Sequence, residues 1–241
     1  MSERIKIMHE LDLLYNVLRI VKHDCVDCKE NSSPIPIFSF EGLPGAGKTT
    51  QIKLVSEILS DKYGKCYYID LPTKSKIGIV LKQLYSNLDS WKIIRKENPW
   101  LNPILISADL RIAVEKAIQN EAKFAIMSRG IISTYYYNLD AYNSNERIAW
   151  NMMKEHMNAF YKPTAIFFLD LSAEEANNRV ILRNRGPLRQ MDKVPEMKRD
   201  RERLISYIER MPDIPVHYIN ASGSEEEVTN RILEKMKGYI E

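Results

Sequence analysis

No stretch of the 241 residues stays apolar over the ~20 positions that a membrane-spanning helix needs. The amino-terminal MSERIKIMHELDLLYNVLRIV scatters charge among its apolar positions and has no small-residue cleavage site, which argues against a secretory signal. Cysteine is scarce. With three in the chain, at least one stays unpaired within it, as expected in a reducing compartment, so a cytoplasmic location is expected. Charge of one sign is scarce as well: 35 Lys and Arg against 32 Asp and Glu leave a formal +3. That excess is too small to argue for nucleic acid or an anionic membrane as partner, so any basic function must be local. Internal repeats and low-complexity tracts are missing. What remains is 44% hydrophobic and 28% charged, the balance of a globular chain long enough for one large domain, or one domain with an appendage.

The pattern divides the chain. Residues 4–22 place Met8, Leu11, Leu14 or Tyr15, Leu18 and Val21 at helical spacing, and the polar HDCVDCKENSSP follows, so 1–33 is expected to be a helical extension with a cysteine-containing loop. From Pro34 to Glu241 short apolar strands alternate with helices. PIFSFEG, KCYYID, KFAIMSR, TAIFFLD and VHYINA read as strands. Helices are expected from Lys48 to about Ser60, Ile77 to about Asn87, and over 101–120, 145–160, 173–184, about 196–210 and 224–239. Such alternation predicts an α/β domain with a five-stranded parallel sheet covered on both faces, its site at the carboxyl ends of the strands.

The first strand runs into FEGLPGAGKTT, which satisfies G-x-x-x-x-G-K-[ST] with strand before and helix after. Backbone N–H groups of Gly42, Pro44–Gly45–Ala46–Gly47 (proline lacking one) and the start of the next helix are expected to cradle a polyphosphate. Lys48 is expected to reach the outer phosphates, with Thr49 placed for Mg²⁺ and Thr50 beside it. ATP or GTP with Mg²⁺ follows from the loop; the reaction does not. A chance match to an eight-position pattern is the bland alternative, which the strand–helix context opposes.

Taken in order, FEGLPGAGKTTQ, LPTKSKIG, LISADLR, SRGIISTYYY, FFLDLSAEEANNR, an arginine-rich loop and INASGS make residues 36–238 resemble the thymidylate kinase family. The resemblance implies a P-loop three-layer fold in which ATP gives its γ-phosphoryl to thymidine monophosphate beneath a mobile lid. It places Arg129 and Lys74 against the acceptor phosphate and Tyr137 against the sugar. The lid, about 179–195, carries Arg179, Arg183, Arg185 and Arg189; no arginine stands in the phosphate loop, so the closing cation is expected from Arg183 and Arg185. Ala221 and Ser222 fall near the adenine. A homodimer through the long helix, using the apolar face of ILISADLRIAVEKAI, follows by the same analogy. No aromatic interleaves the arginines, so a nucleic-acid partner is not expected.

The departures cluster on acceptor recognition. Where the family has a sugar-binding aspartate the chain has Pro44; where it has an aromatic and an arginine against the base, Ile106 and Leu110 fall. Arg111 lies about 100° round the helix from Leu110. Ser128 replaces an aspartate that orders Mg²⁺ and its waters. Glu41, Asp70 and Asp170 end strands and could take over, Asp70 being preferred, and Tyr135, Tyr136, Tyr137 or Tyr142 could supply a stacking ring. Two readings stay open: a thymidylate kinase with a different pocket, or a kinase for a modified pyrimidine nucleotide, a nucleoside or another alcohol, for which Asp70 would serve as base. A regulatory NTPase is disfavoured by the absent Asn-Lys-x-Asp guanine signature, while a silent nucleotide binder stays open because of Ser128. Finally, His23, Cys25 and Cys28 form a partial zinc site, H-x-C-x-x-C, that would need His9 or Cys66 as fourth ligand; reduced surface thiols are the simpler account.

Overall fold

The computed structural model of the chain describes residues 33–142, 161–184, 186–211 and 213–240, together with 147 and 151. The expected helix over 4–22, His9 and the His23–Cys25–Cys28 group lie outside these residues, as do Arg185, the side chain of Tyr142 and most of the helix expected over 145–160. Five strands are described: β1 Ile37–Glu41, β2 Cys66–Asp70, β3 Phe124–Ser128, β4 Ala165–Asp170 and β5 Val216–Asn220. They form one all-parallel sheet in the order β2-β3-β1-β4-β5. β1 is central and all five of its residues are buried, whereas the edge strands β2 and β5 are partly open. Continuous apolar runs are what a parallel strand covered on both faces requires.

Helices fill the two outer layers: α1 Lys48–Tyr63, α2 Lys76–Ser86, α3 Leu88–Glu97, α4 Leu101–Gln119, α5 Ile131–Asn138, α6 Ala173–Leu182, α7 Val194–Glu209 and α8 Glu225–Ile240. Alternation along β1 sends Phe38 and Phe40 to one face, where they pack with Phe167, α1 and α8. Ile37 goes to the other face, into the core formed with α2–α5 and α7; Ser39 and Glu41 share that face. This is the three-layer α/β arrangement expected from the strand–helix alternation, with the fold of P-loop nucleotide-binding domains. Among the described residues no helix is long and apolar enough to cross a membrane.

Two outcomes differ from expectation. Helix α3 was not anticipated; the Asn87 side chain caps it by accepting from the Ser90 N–H at 3.3 Å, and Trp91 and Arg95 turn inward. The apolar face of α4 offered for pairing is open only toward its end: residues 101–114 are buried or half-buried within the chain, whereas Ile118 is 40% exposed.

The helix starts also differ among themselves. Ser75 caps α2 and Ser172 caps α6, each hydroxyl accepting a backbone N–H, and α8 opens on Glu225, Glu226 and Glu227. The start of α1 has neither device. Gly47 precedes it at φ 89° with no side-chain cap and no acidic residue in the first turn. Its free N–H groups and positive dipole end are left for an anion from outside.

Candidate active site

Between β1 and α1 the chain curls through three glycines with positive φ. At Gly45 a Cβ would stand 2.3 Å from the Ala176 carbonyl oxygen, so the loop lies against α6 more closely than any other residue permits. Lys48 is buried, and its ammonium donates to the carbonyls of Gly42 at 2.8 Å and Leu43 at 2.7 Å. Burial, followed by the nearby Arg129, holds its pKa well below that of an ordinary lysine; Glu41 opposes this and Arg183 adds to it. A buried ammonium folded on its own loop, beside two guanidiniums, fits a polyanion.

Arg129 follows β3 in the left-handed region, at φ 66°, which few non-glycine residues adopt. Its backbone N–H donates to the Phe40 carbonyl at 2.9 Å. The guanidinium donates to the Ser133 hydroxyl at 3.2 Å and stands 5.2 Å from the Tyr137 ring centroid. Ser133 in turn donates to Glu41 at 2.5 Å, and the Gly130 N–H donates to the same fully buried carboxylate at 2.7 Å. Glu41 therefore ties β1 to the start of α5 and holds Arg129 through Ser133. Sequence reasoning missed Ser133 and gave Glu41 only as a possible metal carboxylate; no local pattern announces their contact.

The loop, Thr49, Thr50, Ser128, Arg129, Arg179 and Arg183 share one cleft of about 800 Å³, with Ala221 and the start of α8 on its far wall. Arg179 is pinned there by Glu175 at 2.6 Å and the Ala221 carbonyl at 3.1 Å. Arg183 caps α6 and is exposed. Pro44 lines this cleft and a second hollow of about 360 Å³ under residues 186–189. The segment that follows α6 is tied down at Arg189–Asp192. Arg189 makes a two-pronged bond to Asp192, at 2.9 Å on each arm, and Asn177 donates to the Asp192 carbonyl at 2.7 Å. Among the described residues no group of three His, Cys, Asp or Glu could hold a metal. A divalent ion here would rest on the Thr49 hydroxyl and phosphate oxygens, the usual habit of Mg²⁺.

Other expected residues fall elsewhere. Asp170 is taken: both its oxygens accept from Arg201 of α7 at 2.7 Å, so it cannot replace the carboxylate missing at Ser128. Ile106 and Leu110, 5% and 1% exposed, complete the core and leave no open wall for an acceptor, because α4 is packed on the sheet side and against α2 and α5. Asp70 is exposed and in register opposite Ser128, on the face shared with Tyr68. The Tyr68 phenol reaches both of them; burial, then Asp70, raises its pKa. Lys74 is exposed on the β2–α2 loop, at the same end of the sheet as Arg129. Of the tyrosines, Tyr135 is buried, Tyr136 donates to Asp200 of α7, and Tyr137 is 38% exposed beside Arg129. Ser222 turns from the cleft and donates to Glu175 at 2.8 Å. The Cys66 thiol is pushed up to about 11 by burial, which suits a protonated half-buried side chain and not a metal ligand.

Comparison with known proteins supplies the rest. The thymidylate kinase family model matches residues 40–232. The chain is 29% identical over 204 residues to a probable thymidylate kinase of Pyrococcus horikoshii, covering 82% of this chain and 93% of that protein. It is 29% identical to a probable thymidylate kinase of Thermococcus kodakarensis, covering 80% and 93%, and 25% identical to a thymidylate kinase of Legionella pneumophila, covering 83% and 93%. With the phosphate loop, the facing arginines and a family match spanning most of its length, the chain belongs to the thymidylate kinase family, a family of ATP-dependent phosphotransferases.

Proposed function

We propose that the protein transfers the γ-phosphoryl group of ATP to thymidine monophosphate, giving the diphosphate and ADP. The observation that carries this reading is the single cleft in which a phosphate loop faces Arg129, Arg179 and Arg183. An oxygen of the acceptor phosphate forms the new P–O bond as the bond to the ADP oxygen breaks. Transfer of this kind develops charge on the phosphoryl oxygens, and fixed cations stabilise it. In this reading Lys48 leaves its two carbonyls for the β- and γ-phosphates, while the N–H groups of Gly42 to Thr50 (Pro44 excepted) receive the rest of the tail. Arg183 and Arg185 close from the lid. Arg129 and Lys74 hold the acceptor phosphate, and Tyr137 lies against its sugar. Bound Mg²⁺ would neutralise phosphate charge; Thr49 would hold it, and Asp70, across from Ser128, would order its water shell.

The reading extends to organisation. Residues 34–241 form the kinase domain, with 179–195 as lid and 1–33 as an extension, acting in the cytoplasm as a homodimer. Light scattering at the mass of two chains tests the last point, and a single-chain mass ends it. The test of function is ADP release from ATP with a panel of nucleoside monophosphates, nucleosides and sugar alcohols. Release that depends on thymidine monophosphate supports the proposal. Release with another acceptor alone moves the substrate; release without any acceptor makes the protein a hydrolase; none at all makes it a binder.

A further inference from the structure

Helix α4 carries a fully buried carboxylate, Asp109, whose bonds run to the loop between β2 and α2. Its Oδ2 accepts the Thr73 backbone N–H at 2.7 Å. Its Oδ1 accepts the Thr73 hydroxyl at 2.6 Å and the Ser75 hydroxyl at 2.5 Å. Ser75 is itself the cap of α2, accepting the Gly78 N–H at 2.9 Å, and its own N–H donates to the Thr73 hydroxyl at 3.0 Å. Gly78 closes the arrangement from the other side, for a Cβ there would stand 2.4 Å from the Thr73 carbonyl oxygen. The two residues flanking Lys74 are therefore gripped from within the fold, while Lys74 between them is exposed.

A buried carboxylate is a costly way to fill a core, and an apolar residue of similar size would commonly serve stability as well. Three charge-assisted bonds aimed at one short loop fix a backbone position instead. We propose that Asp109 is a positioning residue for the acceptor: it locks the β2–α2 loop so that Lys74 is presented toward the acceptor phosphate. The inference rests on the functional reading above, in which Lys74 meets that phosphate.

The experiment is steady-state kinetics of Asp109→Asn, Thr73→Val and Lys74→Ala, and of Asp109→Asn combined with Lys74→Ala. Removing an acceptor of charge-assisted bonds should raise KM for thymidine monophosphate about tenfold or more, with KM for ATP changed less than about twofold. In the Lys74→Ala background Asp109→Asn should add nothing further, since both act through one ammonium. Thr73→Val keeps the carboxylate and the side-chain volume, and should reproduce part of the effect if Asp109→Asn fails to fold. Equal rises in both KM values, or undiminished effects of Asp109→Asn without Lys74, would overturn the inference. Wild-type turnover with an unresponsive Asp109 defeats this inference alone. No wild-type turnover with any nucleoside monophosphate defeats the functional reading, and this one with it.

Discussion

Lys48 is a cation whose recorded partners are two carbonyls of its own loop, and its lowered pKa reflects burial first and Arg129 second. A triphosphate would raise that pKa again. Between the free and bound values binding must take up a proton, so affinity for ATP should fall as pH rises through that window. Calorimetry in buffers of different ionisation enthalpy reads the proton directly; buffer-independent heats at alkaline pH would contradict it. Lys48→Ala should lower turnover by about 100-fold or more, as loss of a charge-stabilising donor does. Full activity would end the phosphate-loop assignment. Glu41→Gln probes the other half of the site. The amide can accept from Gly130 or from Ser133 but brings an N–H₂ into a place built for acceptors. A loss of about 2–4 kcal/mol in denaturant unfolding is expected, with a drop in kcat as Arg129 loses its alignment.

At the scale of elements, α6 and α7 divide the arginines between tasks. Arg201 joins α7 to the end of β4 through Asp170, and the two side chains are 35% and 30% exposed. Screening by water keeps such a pair to about 1 kcal/mol or less. Arg201→Ala should therefore cost little stability and leave turnover intact, whereas Arg183→Ala, at the cap of α6, should cut kcat by about 100-fold while ADP still binds. Comparable losses for both would mean that the cleft has been misread. The unit β1–loop–α1 was legible because each residue obeys a local rule: an apolar strand, glycines where the backbone crowds Ala176, a lysine and hydroxyl after them. Helix α3 was not. Its polar stretch hides Trp91 and Arg95, and only Asn87 signals a start. Ile106 and Leu110 could be counted onto a family position but not read as core, since burial belongs to the neighbours that cover α4. Asp109 and Ser133 were invisible for the same reason, because their partners are distant in sequence and side-chain direction decides the contact.

For the whole molecule, the two apolar cores meet across a sheet whose middle strand has no exposed residue. Phe167→Ala, which removes the ring touching Phe38 and Phe40, should cost about 3–5 kcal/mol by thermal or denaturant unfolding. The activity per folded molecule should survive better than the fold.

The strand order carries a consequence for synthesis. β1 pairs with β3 and β4, and the backbone of Gly42 and Gly45 is moulded against Leu169 and Ala176, all translated much later. At about 5–20 residues per second the ribosome exposes the complete GLPGAGKTT motif seconds before anything can shape it. Stalled nascent chains that have cleared only β3 should fail to retain a nucleotide on a filter, and chains released beyond α8 should hold it. During birth this protein carries its most recognisable motif while still unable to use it.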